Sequence, residues 1–287
     1  MDRIKYFPFY LFSLLPFWVI YLLSDLTCFV LYRLVRYRRA VVRTNLRLSF
    51  PEKDMAEVAL IEKAFYGHFC DQMFESMKVL TISEKVAKRR FTIKNPELVH
   101  HYYQQGRSII LYSGHFGNWE WTSFLPLHFS HQLTAFYKPL SNRYYDGLIK
   151  RIRERFGLIC LTSNKGYKSL SQFKQDQVLT MSLLLSDQSP GKDAPKEWVN
   201  FLNQETAFVL GAHHIAKKLD QVLFFPSFRK PRRGYYELEF IPITDTPKTL
   251  ETRQVVSTYA KVLEGAIRTS PSLWLWSHRR WKLTLEG

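Results

Sequence analysis

The sequence predicts a mixed α/β domain behind an N-terminal hydrophobic membrane anchor. Three features support this: an uncharged apolar run near the start, an amphipathic pattern over residues 54–80, and short apolar runs that alternate with helical patterns from about residue 90. Such alternation is typical of an α/β domain with a largely parallel or mixed sheet. We therefore divide the chain into an anchor, residues 1–35, and a second domain, residues 36–287.

The predicted anchor is an apolar run of 17 residues, Phe7 to Leu23, that resumes over residues 26–31. Seventeen residues is the short end of a bilayer span. Pro8 and Pro16 weaken a straight helix. No small-x-small cleavage site follows, which argues against a cleaved signal peptide. We expect a retained anchor, either spanning or half-embedded; the alternative is a buried core helix.

The segment after the apolar run is strongly basic. No acidic residue lies between Asp25 and Glu52, and only Arg3 and Lys5 precede the run. The positive-inside rule then places the rest of the chain in the cytoplasm, with the basic segment at anionic headgroups. The arginines of this segment are Arg33, Arg36, Arg38, Arg39, Arg43 and Arg47.

Composition narrows the class of protein further. A hydrophobic fraction of 46% excludes intrinsic disorder, and 16% aromatic residues suit a membrane interface. The formal net charge of +16 indicates an acidic partner, such as nucleic acid, anionic lipid or an acidic protein. Three scattered cysteines are too few for a disulfide framework or a zinc knuckle, so we expect a cytosol-facing domain.

The secondary-structure elements are predicted from periodicity. Apolar residues recur at three- and four-residue steps over residues 54–80, which predicts a helix. Strands are predicted at 108–112, 133–137, 158–161, 178–186, 222–225 and 235–243. Further helices are predicted near 142–156, 165–175, 206–219 and 250–268.

The segment from Tyr112 to Glu120 is the candidate active site. It directly follows a predicted strand, and ligands of α/β folds gather at the carboxyl ends of strands. If the loop turns into a helix, Glu120 can orient His115, the base-plus-orienter half of a triad. No Ser or Cys of the segment is an obvious nucleophile, so His115 would activate an external hydroxyl. The alternative is a core histidine capped by a carboxylate.

Gly-His-Phe-Gly-Asn-Trp-Glu, residues 114–120, resembles the signature of the bacterial lipid A biosynthesis acyltransferase family, the late lauroyl/myristoyl transferases of the inner membrane. The resemblance extends along the chain in order, with one departure at residues 201–206, where the family often has Phe-x-Gly-x-x-Ala. The other matching segments are Arg43-Thr44-Asn45-Leu46, Phe50-Pro51, Tyr137-Lys138-Pro139, Ser186-Asp187-Gln188, and the closing segment from Pro271 through Trp274, Trp276, His278, Arg279, Arg280 and Trp281 to Lys282.

The resemblance implies a glycerol-phosphate-acyltransferase-like mixed sheet flanked by helices. It also implies transfer of a fatty acyl chain from a thioester, usually on acyl carrier protein, to a hydroxyl of a lipid A precursor in lipopolysaccharide or lipooligosaccharide biosynthesis. His115 would take the proton of that hydroxyl, and Glu120 would orient His115. We expect no metal and no cofactor.

The expected substrate-binding residues come from the same resemblance. Arg153 is the candidate for contacting a phosphate or the developing oxyanion, although it is equally compatible with a surface charge on its helix. The remaining candidates are Asn118, Asp187, Gln188, His278 and Arg279. For His278 and Arg279 the alternative role is an interfacial belt of aromatic and basic residues.

The expected partners are acyl carrier protein, an anionic glycolipid acceptor and membrane lipids, at the cytoplasmic side of the inner membrane. The nearer alternative is an acyltransferase of the same fold acting on another membrane glycolipid or aminolipid. A membrane-tethered nucleic-acid-binding protein is the alternative from another class, and we expect no nucleic-acid partner. Acyl length, acylated position and a coenzyme A donor stay open.

Overall fold

The computed structural model describes residues 5–283, and a seven-stranded mixed sheet is the centre of this part of the chain. The sheet order is β1-β9-β8-β2-β5-β3-β4, and its neighbouring strands are parallel except for the antiparallel pair β8–β9. Strands β6 and β7 form a separate antiparallel hairpin. The strands are β1 (Phe91–Ile93), β2 (Ile109–Ser113), β3 (Gln132–Tyr137), β4 (Ile159–Thr162), β5 (Thr180–Leu185), β6 (Lys196–Phe201), β7 (Gln204–Val209), β8 (Val222–Arg232) and β9 (Tyr235–Thr244).

Helices flank the sheet, so the predicted mixed α/β class is confirmed. The α-helices are α1 (Phe7–Leu14), α2 (Phe17–Phe29), α3 (Arg39–Ser49), α4 (Met55–Lys78), α5 (Glu84–Arg90), α6 (Pro96–Gln104), α7 (Arg143–Glu154), α8 (Gly166–Gln175), α9 (Gly211–Leu219) and α10 (Thr252–Thr269). A π-helical turn (Val30–Leu34) continues α2, and 3₁₀ segments cover Trp119–Leu127 and Pro271–Leu273.

The predicted helix over 54–80 is confirmed as α4. Asp54 begins it with a capping box: its carboxylate accepts from the backbone N–H of Glu57, whose side chain accepts from the N–H of Asp54. The predicted strands after residue 100 are also present, and β8 extends well beyond residue 225 to Arg232.

One predicted helix is wrong at its start. Residues 204–209 form β7 instead of the first turns of a helix, and α9 begins only at Gly211. The hairpin turns at Leu202 and Asn203, which have φ angles of 52° and 63°. Asparagine tolerates this left-handed conformation better than other non-glycine residues, so Asn203 serves the turn where the family often has glycine.

The N-terminal segment runs antiparallel to α4 along nearly the whole of that helix. Pro16 separates α1 from α2. Residues Phe17–Leu34 are long and apolar enough to cross a membrane, by length and composition. Residues 1–4 of the predicted anchor and residues 284–287 of the second domain lie outside the described residues. The bonded pairs along the two segments are Ser13–Lys78, Tyr21–Glu75, Ser24–Asp71 and Arg39–Glu62.

Strand β2 lies at the middle of the sheet and positions the candidate site. All of its residues are buried, with β8 on one side and β5 on the other, as the apolar run over residues 109–112 requires. The segment that follows β2 therefore leaves the sheet at the centre of its carboxyl edge.

Candidate active site

The ends of β2 and β5 bring two distant segments together. The parallel register pairs Ser113 with Leu185, and the N–H of Ser186 donates to the carbonyl of Ser113 at 2.8 Å. The two segments then leave the sheet side by side, so His115 and Asp187 meet just beyond its edge, although they are 72 positions apart in the sequence.

Asp187 holds the His115 ring in place. Its Oδ1 lies 2.7 Å from His115 Nδ1, and its Oδ2 accepts from the backbone N–H of His115 at 2.8 Å. Oδ2 also accepts from Trp274 Nε1 at 2.7 Å. Burial alone would raise the pKa of Asp187, but the charge interaction with His115 and these hydrogen bonds outweigh it and hold the pKa below its ordinary value. The carboxylate therefore stays ionised and favours a proton on Nδ1.

The other ring nitrogen, His115 Nε2, lies 3.3 Å from the side-chain amide of Gln188. With the proton on Nδ1, Nε2 carries the lone pair and is the basic atom. Both His115 and Gln188 line a cavity of about 740 Å³. The other cavity-lining residues include Lys138, Leu140, Ile149, Arg153, Leu184 and Ile215. A cavity of this size and mixed lining accommodates an apolar chain beside a polar group.

The predicted pairing of Glu120 with His115 is wrong, because Arg153 takes up that carboxylate. Arg153 Nε donates to Glu120 Oε2 at 2.9 Å, and Nη2 donates to Oε1 at 2.5 Å. Burial would raise the pKa of Glu120, but the guanidinium charge and its hydrogen bonds lower it. The 3₁₀ segment after Asn118 carries Glu120 toward α7, where Arg153 lies.

The loop between His115 and Glu120 depends on Gly117. Its φ is +67°, and a Cβ added there would lie 2.3 Å from Phe228 Cβ. The ring nitrogen Nε2 of His68 lies 3.2 Å from the Gly117 carbonyl oxygen. The Gly117 N–H donates to the carbonyl of Leu273 at 2.9 Å. The loop is thus bound on both sides and leaves no space for a side chain at 117.

The family model for bacterial lipid A biosynthesis acyltransferases matches residues 6–283, nearly the whole chain. The chain belongs to this family. It is therefore an acyltransferase, which requires an acyl donor and a lipid acceptor, and the family is membrane-associated in bacteria. No curated protein matches the chain significantly.

In this acyltransferase Asn118 does not face the cavity, contrary to the expectation that it binds substrate. Its side chain is fully buried, and its Nδ2 donates to Glu75 Oε2 at 2.7 Å. Its Oδ1 accepts from the backbone N–H of Trp121 at 3.3 Å. Asn118 therefore caps the 3₁₀ segment that carries Glu120 and ties it to α4.

The closing basic segment of the acyltransferase divides into inner and outer residues. His278 Nε2 accepts from the backbone N–H of Ser189 at 3.1 Å, which braces the loop after Asp187. Burial lowers the pKa of His278 to about 4, so the ring is neutral and free to accept. Arg279 is exposed and does not line the cavity, whereas Arg280 is buried and donates to the carbonyl of Ala207.

Sequence reasoning missed the roles of Trp274 and Glu75. Trp274 was visible only as part of a motif, and Glu75 sits in the middle of an ordinary helical pattern. The signal for Asp187 was stronger, because a polar residue directly after a buried strand lies at the edge where His115 also lies. Within residues 5–283, no three His, Cys, Asp or Glu side chains lie close enough to hold a metal ion.

Proposed function

We propose that this acyltransferase moves a fatty acyl chain from an acyl carrier protein thioester to a hydroxyl of a lipid A precursor, with His115 as the general base. The observation that supports it best is the Asp187–His115 pair, whose histidine lines the large cavity. The order of contacts is that of a base and its orienting carboxylate. In this proposal Asp187, and not Glu120, orients His115.

In the proposed reaction the acceptor hydroxyl lies against His115 Nε2. The hydroxyl gives its proton to Nε2 as its oxygen forms a bond to the thioester carbonyl carbon. Asp187 stabilises the imidazolium that results. When the tetrahedral intermediate collapses, the carbon–sulfur bond breaks and Nε2 returns the proton to the departing thiolate. No group of the enzyme carries the acyl chain at any point.

Arg153 is proposed to bind negative charge in the cavity. Arg153 lines the cavity, and its guanidinium is fixed by two bonds to Glu120, which leaves further N–H donors for a substrate phosphate or the developing oxyanion. Glu120 would then be a positioning residue for Arg153. A general base contributes typically about 10²–10⁴-fold, so such electrostatic contacts must provide much of the remaining rate.

We place the enzyme at the cytoplasmic side of the inner membrane. The six arginines after the apolar run support this orientation, as does a carrier-protein donor, which is made in the cytosol. The net charge of +16 suits both an acidic carrier protein and an anionic glycolipid. The second candidate, transfer to another membrane glycolipid or aminolipid, uses the same residues.

The test is acyl transfer by purified enzyme from acyl carrier protein thioester to a lipid A precursor, followed by mass spectrometry of the product. We expect the His115→Ala variant to lose activity while it still inserts and folds. Near-normal turnover by His115→Ala would refute the mechanism. Lipid A from a deletion strain identifies the acceptor: unchanged acylation there, with an altered membrane glycolipid or aminolipid, would favour the second candidate.

A further inference from the structure

The N-terminal helices expose a continuous apolar face. Its large side chains recur at three- and four-residue steps from Phe7 to Phe29, and all are between 55% and 71% exposed. Such exposure over one face marks a surface that is covered by something apolar. We call this face the outer stripe; it consists of Phe7, Leu11, Leu14, Trp18, Leu22, Leu26, Phe29 and Leu34.

The opposite face of the same helices is polar and bonded to α4. Ser24 Oγ donates to Asp71 Oδ1 at 2.9 Å, and Tyr21 OH donates to Glu75 Oε1 at 3.0 Å. Lys78 Nζ donates to the carbonyl of Ser13 at 2.6 Å. The two serines are fully buried in this contact. The segment is thus amphipathic as it is folded, with its polar side committed to the catalytic domain.

The other side of α4 is part of the catalytic domain and cannot enter hydrocarbon. Glu75 Oε2 accepts from Tyr236 OH at 2.8 Å and from Asn118 at 2.7 Å, so α4 is fixed to β9 and to the His115 loop. If the N-terminal helices crossed the bilayer together with α4, Asp71 and Glu75 would be carried into the hydrocarbon with them. If the helices crossed alone, each bond to α4 would break and leave polar groups in lipid without partners, which is strongly unfavourable.

We propose that residues 7–35 lie in the plane of the membrane surface, with the outer stripe inserted into the cytoplasmic leaflet and the polar side still folded on α4. Amphipathic helices of this kind bury their apolar face at the boundary of headgroups and acyl chains. Exposed Lys5, Arg33 and Arg36 flank the stripe at its two ends and match anionic headgroups. The segment is long enough to span a bilayer, but its contacts with α4 favour the surface position.

This position places the cavity close to the lipid. Helix α7 lies between the inserted segment and the cavity: Tyr144 OH donates to the carbonyl of Lys5 at 2.9 Å, and Arg151 Nε donates to Tyr10 OH at 2.7 Å. On another side of α7, Ile149 and Arg153 line the cavity. Helix α7 therefore contacts both the inserted segment and the cavity in which, on the proposed function, the lipid acceptor binds.

The first test is the topology of the wild-type chain in bacterial cells. Reporters that work only in the cytoplasm or only in the periplasm are fused separately to the N-terminus and after Gly287. We expect cytoplasmic signals from both ends, because an in-plane segment does not cross the membrane. A periplasmic N-terminus with a cytoplasmic C-terminus would overturn the proposal.

The second test measures depth in vesicles of phosphatidylethanolamine and phosphatidylglycerol. Leu11→Cys, Leu22→Cys and Phe29→Cys carry a fluorophore in a Cys28→Ser background, and lipids with shallow or deep quenchers are compared. We expect equal, shallow quenching at the three positions and none at Lys261→Cys on α10. A depth that changes steadily along the three positions would mean a span and refute the proposal.

Absence of quenching at all three positions of the stripe would also refute it, because a second copy or another protein would then cover the stripe. Both tests are made without substrate, so their outcome is independent of acyl transfer. A chain that lies in the plane but fails to acylate lipid A would leave this inference standing while the proposed function fails.

Discussion

At the scale of single residues, Asp187 explains most about the site, because its carboxylate makes three short hydrogen bonds that each fix a different group. Two of the bonds fix the backbone and the ring of His115, and the third ties both to Trp274. Sequence spacing indicated Glu120 for this role, because a local motif is easier to recognise than two strand ends. Only the pairing of β2 with β5 shows which carboxylate reaches the ring.

The first prediction separates the two carboxylates. We expect Asp187→Asn to lower kcat by about 10²–10⁴-fold, because an amide cannot stabilise the imidazolium or fix its tautomer. Glu120→Gln weakens the two bonds that fix Arg153. We expect it to raise KM or to weaken stabilisation of the oxyanion, and to give a pH profile different from that of Asp187→Asn. Initial rates from pH 5 to 9 provide the comparison. Equal loss and identical profiles in both variants would contradict the assignment.

The second prediction concerns His68, which contacts the Gly117 carbonyl oxygen. Burial lowers the pKa of His68 from 6.5 to about 3, and the charge of Lys230 adds to the effect. The unfolded chain therefore takes up a proton below about pH 6.5 that the folded chain does not, and stability falls as the pH decreases from there toward 3. We expect His68→Gln to flatten this fall in Tm, whereas His101→Gln, an exposed control, leaves it unchanged.

At the scale of elements, helix α4 connects the N-terminal segment to the active-site loop. Its Glu75 accepts bonds from α2, from β9 and from Asn118 at the start of the 3₁₀ segment. The helix itself was predictable from its sequence, since apolar residues that recur at three- and four-residue steps indicate which face of a helix is buried. The polar residues on that face were not, because a pattern of apolar steps gives no partner for a buried carboxylate.

The third prediction tests this connection. We expect Glu75→Leu to lower the free energy of unfolding by about 3 kcal/mol, because buried donors of Asn118 and Tyr236 lose their acceptor. Tyr21→Phe, which removes only the bond from α2, should cost about 1 kcal/mol. Denaturant unfolding in detergent measures both. A Glu75→Leu variant as stable as the wild type would contradict the role of Glu75.

The hairpin of β6 and β7 shows where prediction of elements failed. Its turn is made by Leu202 and Asn203 without a glycine or proline to mark it. Apolar residues around 206–210 then fit a helix as well as a strand. The strand is favoured by its backbone pairing with residues 196–201. That pairing partner lies outside residues 204–209, so the local sequence of β7 does not reveal it.

At the scale of the whole molecule, the site is assembled from segments that are far apart in sequence. The base follows β2, its carboxylate follows β5, and the indole that bonds the carboxylate comes from residue 274. Overall class was predictable from alternation, but strand order is a property of the complete sheet. The position of Asp187 beside His115 therefore emerged only from the topology.

The fourth prediction follows from a base that acts on the acceptor itself. Donor and acceptor must be bound together, so initial-rate plots at several fixed acceptor concentrations should intersect instead of running parallel. No acyl group should be trapped on the protein when donor is supplied alone. Parallel lines with a stable acyl-enzyme would contradict direct transfer; slow hydrolysis of the donor would not, since water can occupy the place of the acceptor.

The close approach of Phe228 to Gly117 limits which mutations the gene can accept at codon 117. Every missense change of a glycine codon adds a Cβ, and at 117 that atom would lie 2.3 Å from Phe228 Cβ on a backbone with a φ of +67°. Only glycine at 228 would remove that Cβ, and the left-handed backbone at 117 would still disfavour any side chain. No single-nucleotide missense change at codon 117 is therefore tolerated. A saturation library of the gene that is selected for active enzyme should contain only glycine at this position.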